Sequence, residues 1–392
     1  MRHAADRDPV VVAARRTPIG TAGGALRAVT VDELAAPVLR ALLADVGHPA
    51  GGADARVAGV PVADVLLGNV FGPGGNPARV AALRAGLGNE VPGMTVDRQC
   101  ASGLAAILTA AAAIRAGDGE VYLAGGVESA STAPHRYWPG GSRYTRAPFA
   151  PDELGDPDMG PAADVVAAAA GISRGRQDTF AARSHSRAVR AQADGRFDAE
   201  LVPVAGLTAD QRPRSGFTPE RLARFRSAFT VDGTATAANS CGVNDGAAAV
   251  LVISERVRRA LGVPGLALAA ASTRGCDPNL LGLGAVPAMR EVLHGVHARS
   301  ASAALGPPDA VEFTEAFAGQ ALACLDAAGV DEHTASPDGG AIALGHPWGA
   351  SGAVLVVRLF SRLVRAGRGT TGLAALSSGG GLGVAARWEV VP

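Results

Sequence analysis

The chain has no lysine: every one of its 36 basic residues is arginine. A lysine Schiff base and a lysine general base are therefore excluded. Aromatic residues make up only 4 %, so the core has to be built from Ala, Val and Leu. There is no net charge, with 36 acidic residues matching the arginines, and nothing argues for nucleic acid or an anionic membrane as a partner. The four cysteines, Cys100, Cys241, Cys276 and Cys324, form no CxxC pair and no metal-like spacing with histidine, so no metal is expected. The N-terminal stretch lacks the long apolar region of a secretory signal. No apolar run reaches the roughly 20 residues of a membrane span. The chain reads as soluble, reduced and cytoplasmic.

At 392 residues the chain is too long for one ordinary core, which points to two or three domains or a duplicated one. Short apolar strands alternate with helices, an α/β pattern with a covered sheet. Strands are expected at 9–14, 65–70, 120–126, 247–253, 310–313 and, as the last, 371–376. Helices are expected at 31–46, 78–85, 286–293 and 349–364. The stretch 130–243 differs. It is rich in Pro, Arg and Asp, and shows one clear amphipathic helix, Arg174 to Asp194, with Ser173 as N-cap and Gly195 as stop. It reads as a large excursion from the first α/β unit.

Cys100 stands in Asp97-Arg98-Gln99-Cys100-Ala101-Ser102-Gly103, just ahead of a strongly helical apolar run. Free N–H groups and the dipole of a helix start favour negative charge there. The thiol is expected to be acidified, with a pKa of roughly 3.5–7.5 instead of about 8.5. The alternative is an inert buried cysteine. An internal echo supports the first reading: Ala350-Ser351-Gly352 opens the helix after His346 as Ala101-Ser102-Gly103 opens the helix after Cys100. Two similar halves would set Cys100 and His346 at facing helix starts.

Five segments, in order, resemble signatures of the thiolase family: Ala14-Arg15-Arg16-Thr17-Pro18-Ile19-Gly20, Cys100-Ala101-Ser102-Gly103, Gly125-Gly126-Val127-Glu128-Ser129, Asn239 to Ala247, and Gly339 to Gly352. The resemblance implies the α/β thiolase fold, a duplicated αβαβα five-layer sandwich with a large loop domain inserted in the N-terminal half. That places the N-terminal half at 1–129, completed by 244–264, a coenzyme A-covering domain at 130–243, and the C-terminal half at 265–392. It also implies an acyl-CoA or acyl-carrier thioester as substrate, no permanently bound cofactor, and a homodimer or homotetramer.

Carried over by position, the resemblance makes Cys100 the nucleophile that forms a thioester and His346 its base. A neutral imidazole suits that task. It assigns backbone N–H groups of Cys100 and Gly379 to the oxyanion hole. Two positions depart from the family pattern. Ser377 stands where carbon–carbon-forming members have a second cysteine, and a hydroxyl is a far weaker acid than a thiol. Thr314 stands where the family has an asparagine that positions a water for the enolate. Both changes fall on the enolate half-reaction. Cys241 replaces a serine beside the thiol end of coenzyme A; it can rebuild the base or simply pack. Arg214 matches a family arginine near the adenine and phosphates, and a guanidinium suits phosphate. Met159 matches an acyl-pocket residue, preceded here by Asp158 instead of histidine. Trp348 replaces a smaller side chain and either narrows the pocket or packs.

Overall fold

The computed structural model describes residues 6–48, 55–294 and 306–392. Nine strands form the body of the sheet: β1 (Pro9–Arg16), β2 (Asp64–Gly68), β3 (Gly93–Val96), β4 (Val121–Ser129), β5 (Asn244–Ser254), β6 (Gly265–Gly275), β7 (Ala310–Phe313), β8 (Thr371–Ser378) and β9 (Leu382–Val391). Helices of eight residues or more are α1 (Val31–Ala44), α2 (Pro77–Arg84), α3 (Ser102–Ala116), α4 (Met159–Ala169), α5 (Arg174–Ala193), α6 (Ala285–His294), α7 (Ala318–Ala328) and α8 (Trp348–Phe360). Among the described residues the strands make one sheet in the order β7-β8-β9-β6-β1-β5-β4-β2-β3.

That order contains a repeat. β1 pairs antiparallel with β5, β5 antiparallel with β4, and β4 parallel with β2. β6 pairs antiparallel with β9, β9 antiparallel with β8, and β8 parallel with β7. The two units meet at a short antiparallel contact in which Val10 faces Ala267 and Val11 faces Leu266. α3 runs into β4 and α8 runs into β8, so the helices that follow Cys100 and His346 occupy equivalent places.

Side-chain alternation along the strands separates the layers. In β5, Ala248, Val250 and Val252 join α3, α8 and inward residues of β8 and β9 in a central core. Ala249, Leu251 and Ile253 pack outward against α1 and α2. α6 and α7 cover the far side of the second unit. The result is helix, sheet, helix, sheet, helix. Small residues set the middle spacing. A Cβ on Gly103 would lie 2.7 Å from the Gly349 carbonyl oxygen, and one on Gly352 2.5 Å from the Leu104 nitrogen. The Ala-Ser-Gly echo is therefore the crossing point of two closely packed buried helices.

Several elements differ from the sequence reading. The last strand is β9, not 371–376. β6 and α7 are additional, and the excursion holds α4 as well as α5. α4 has no polar face to betray it: it packs on both the 278–283 turn and α7. β6, with Ala267, Ala269, Ala270 and Ala271, has little intrinsic strand preference; long pairing with β9 sets its state. Ser173 does cap α5, accepting the Arg176 N–H at 3.3 Å, and Gly195 follows with φ +66°. One 18-residue window, Gln99–Ala116, is apolar enough to match a membrane span, but it covers α3 in the core.

Candidate active site

Cys100 lies in a tight turn just before α3. Gln99 has φ +50°, a left-handed conformation uncommon for a residue with a side chain, and it turns the thiol out of the strand direction. Ser102 secures the turn: its hydroxyl donates to the Gln99 carbonyl at 2.6 Å and accepts the Arg98 N–H at 2.8 Å. The last turn of the chain closes over it. The Ser378 hydroxyl donates to the Arg98 carbonyl at 2.7 Å and accepts the Ala101 N–H at 3.3 Å. The Gly379 N–H points to the Cys100 sulfur. Nothing in the sequence pattern marked Ser378, because its partners are about 280 residues away.

The thiol opens into a cleft lined by Met159, Ala316, Phe317, Gln320, Ser377 and Gly379. Its walls are mostly apolar, and this corrects the expected acidity of the thiol. Burial pushes Cys100 up to about 12; the nearby Cys241 adds to the rise, and the Gly379 and Cys100 N–H groups offset it only in part. The first helical residue is Ser102, so the sulfur stands just ahead of the helix start, and there burial outweighs the help of the nearby N–H groups. Burial thus favours the thiol over the thiolate at Cys100.

His346 is buried in the turn that leads into α8. Asn244 accepts its backbone N–H at 2.9 Å, and its Nδ1 lies 2.7 Å from the Ser351 hydroxyl. Burial pulls the imidazole down to about 4, so the ring is neutral near pH 7. With Nδ1–H donated to Ser351, Nε2 keeps the lone pair that a base requires. Among the described residues no hydrogen bond joins thiol and imidazole directly. Their relative position is set by the helix crossing and by Glu128. This carboxylate, buried at the end of β4, accepts the N–H groups of Val70 at 3.1 Å, Phe71 at 3.0 Å and Gly349 at 3.0 Å. It thus ties the first unit to the start of α8, and burial raises it to about 7.

The other expected residues fall in different places. Ser377 reaches the cleft with its hydroxyl engaged: it donates to the Gly282 carbonyl at 2.7 Å and accepts the Ala285 N–H at 3.0 Å. Thr314 lines a separate small cavity with Gly345 and Ser351, and its buried Oγ1 has no partner among the described residues. Met159 opens α4 at the cleft. Trp348 packs on Phe71, with ring centres 4.6 Å apart, and does not line the cleft. Arg214 is exposed, and its guanidinium turns back to the Gln211 carbonyl at 2.6 Å. Cys241 is fixed by its backbone, donating to the Ala316 carbonyl at 2.9 Å. Arg212, not singled out by sequence, lies against Cys241 and Gly242. No cluster of His, Cys, Asp or Glu able to hold a metal occurs among the described residues.

The family pattern described as Thiolase, N-terminal domain matches residues 9–256, and Thiolase, C-terminal domain matches 264–390. An acetyl-CoA acetyltransferase of Pseudomonas aeruginosa is 41 % identical over 97 % of this chain and 98 % of its own length. One of Cupriavidus necator is 40 % identical over 96 % and 98 %. The crystal structure of the Bacillus anthracis acetyl-CoA acetyltransferase superposes with a TM-score of 0.88 at 35 % identity, covering 99 % of this chain and 100 % of that one. A doubled α/β unit, facing helix starts bearing a cysteine and a histidine, and full-length similarity agree: the chain belongs to the thiolase family of acyltransferases.

Proposed function

We propose that this enzyme moves a short acyl group from an acyl-CoA thioester through a thioester on Cys100, as the name of its acetyl-CoA acetyltransferase relatives suggests. The observation that carries the reading is the Cys100 thiol, facing the Gly379 N–H in an apolar cleft that also presents Met159 and Phe317. As the substrate carbonyl arrives, the thiol proton passes to the neutral His346 and the sulfur attacks. The negative charge that develops on oxygen is met by N–H groups of the Cys100 and Gly379 turns; loss of one such donor typically costs about 10²–10³ in rate. Coenzyme A then leaves as the thiol.

The carbon–carbon half-reaction is where this chain departs from its family. The Ser377 hydroxyl is weakly acidic and already held by two backbone groups. That favours a second reading, a specialised acyl transfer to an acceptor that needs no strong base. Intact-mass spectrometry after mixing with acetyl-CoA tests the core of the proposal. An acetyl gain that disappears in Cys100→Ala is expected. No gain with any short acyl-CoA would leave a non-catalytic acyl-CoA-binding or scaffold protein.

A further inference from the structure

We propose that Cys241, set beside the Arg212 guanidinium, is the acid–base thiol of the carbon–carbon step, in place of the committed hydroxyl of Ser377. This rests on the Cys100 thioester chemistry proposed above. Three observations set Cys241 against the wall of the Cys100 cleft. Its N–H donates to Ala316, a wall of the Cys100 cleft, at 2.9 Å, and the neighbouring Ser240 bridges Phe317, the next wall residue. Its sulfur is close enough that a charge on it raises the Cys100 thiol. Both cysteines keep some contact with solvent.

Arg212 supplies what a proton-transferring thiol needs. The guanidinium lies against Gly242: a Cβ there would sit 2.2 Å from Nη1 and 2.7 Å from Cζ, so a side chain at 242 would displace it. Its Nη2 reaches only the Ile342 carbonyl, at 3.4 Å, and its Nε is buried with no partner. Among the described residues no carboxylate pairs with it, although many other arginines of this chain are paired. The neighbouring charges are Arg214, which opposes its protonation, and the Cys241 sulfur, which favours it. A largely buried cation without a counter-ion stabilises an anion formed next to it. The anion available is the Cys241 thiolate.

The proton balance closes for cleavage of a 3-oxoacyl thioester. The Cys100 proton moves to His346, and the sulfur attacks the keto carbon. The bond between that carbon and the α-carbon breaks, and its electron pair stays on the α-carbon. Cys241 S–H protonates that carbon, leaving a thiolate beside Arg212. Incoming coenzyme A gives its thiol proton to Cys241 and attacks the Cys100 thioester. The released Cys100 thiolate recovers its proton from His346. Burial holds Cys241 up at about 12, so it rests protonated, the state from which cleavage starts. In the synthetic direction each step reverses.

The test compares two rates in one enzyme: acetyl loading of Cys100 by intact mass, and enzyme-catalysed deuterium exchange into the methyl group of acetyl-CoA by NMR. General acid–base catalysis is worth about 10²–10⁴. Cys241→Ser, which keeps the size of the side chain, should therefore lower the ratio of exchange to loading by at least about 100-fold. Arg212→Gln should lower the same ratio about tenfold and move Cys241 alkylation to higher pH, while Arg212→Lys restores part of both. A ratio within threefold of the original enzyme in Cys241→Ser overturns the assignment. So does loading of the original enzyme with no exchange, or exchange lost in Ser377→Ala but kept in Cys241→Ser. Absence of Cys100 loading instead overturns the acyl-transfer reading itself.

Discussion

Gly126→Ala probes how the two units are held in register. Gly126 is in β4, two residues before Glu128, and a Cβ there would lie 1.9 Å from the Gly349 carbonyl oxygen. Real Cβ atoms essentially never approach closer than 3.0 Å, so β4 and the start of α8 must separate by at least 1.1 Å. The backbone contacts leave no flexible side chain to absorb that shift. Overpacking of this kind costs about 1–3 kcal/mol in stability. The larger effect falls on chemistry, because the separation stretches the Gly349–Glu128 bond and carries His346 away from Cys100. Misplacement of a reacting group by about 1 Å costs about 10²-fold in rate. Stopped-flow loading with acetyl-CoA, read alongside thermal unfolding, gives both numbers. Gly140→Ala, where a Cβ would meet nothing within 4 Å, is the control. If Gly126→Ala folds and loads within twofold of the original enzyme, the claim that the helix crossing positions the histidine is wrong.

Alkylation of Cys100 by iodoacetamide in the substrate-free enzyme should be slower than that of a free thiol at pH 7 and should climb with pH beyond 9, because burial favours the thiol; a plateau near pH 6 would refute this. Glu200, fully buried between Arg16 and Arg358 at 2.7 and 2.5 Å, is held below its ordinary value by those cations and supports the fold above pH 4.5, losing that support as pH falls through its folded value. Glu200→Gln should cost about 3–5 kcal/mol at pH 7 in denaturant titration, and a loss under 1 kcal/mol would show the pair to be dispensable. Glu312 has the opposite sign: burial raises it to about 8 in the fold, so stability falls as pH rises from about 4.5 to 8, and Glu312→Gln should flatten that slope. The slope should persist unchanged in the variant if another group is responsible. In Ser377→Cys the new sulfur would stand where the serine oxygen lies 3.7 Å from the Cys324 sulfur, so diamide should link the two, seen as a non-reducing mass loss that Cys324→Ala abolishes; two free thiols after oxidation would contradict the packing.

The legible parts of the sequence were those where one short segment carries its own instruction. Cys100 before an apolar helix, the Gly-His-Pro turn at 345–347 and the Ala-Ser-Gly echo are of that kind, and the two helix starts do face each other. The acidity of the thiol was misjudged because a helix start is a local signal, whereas the apolar walls come from α4, α7 and β8. Ser378 and Arg212 stayed hidden for a related reason, and Glu128, although its segment stood out, gave no sign of its clamping role. Each acts through backbone groups of distant segments, and a polar residue looks the same in sequence whether it clamps a turn or faces water. Alanine-rich elements such as β6 and α4 carry little preference of their own and take their state from partners.

The clamp made by Ser378 on the Arg98–Ala101 turn has a consequence for biosynthesis. Cys100 is translated well before the hydroxyl and the Gly379 amide that hold its turn, since Ser378 and its partner Arg98 are 280 residues apart. Until the ribosome has passed residue 379, the sulfur lacks the wall of its cleft made by Ser377, Ser378 and Gly379. A product arrested before residue 379 should carry an ordinary thiol, open to alkylation but without the turn that holds it for acyl transfer.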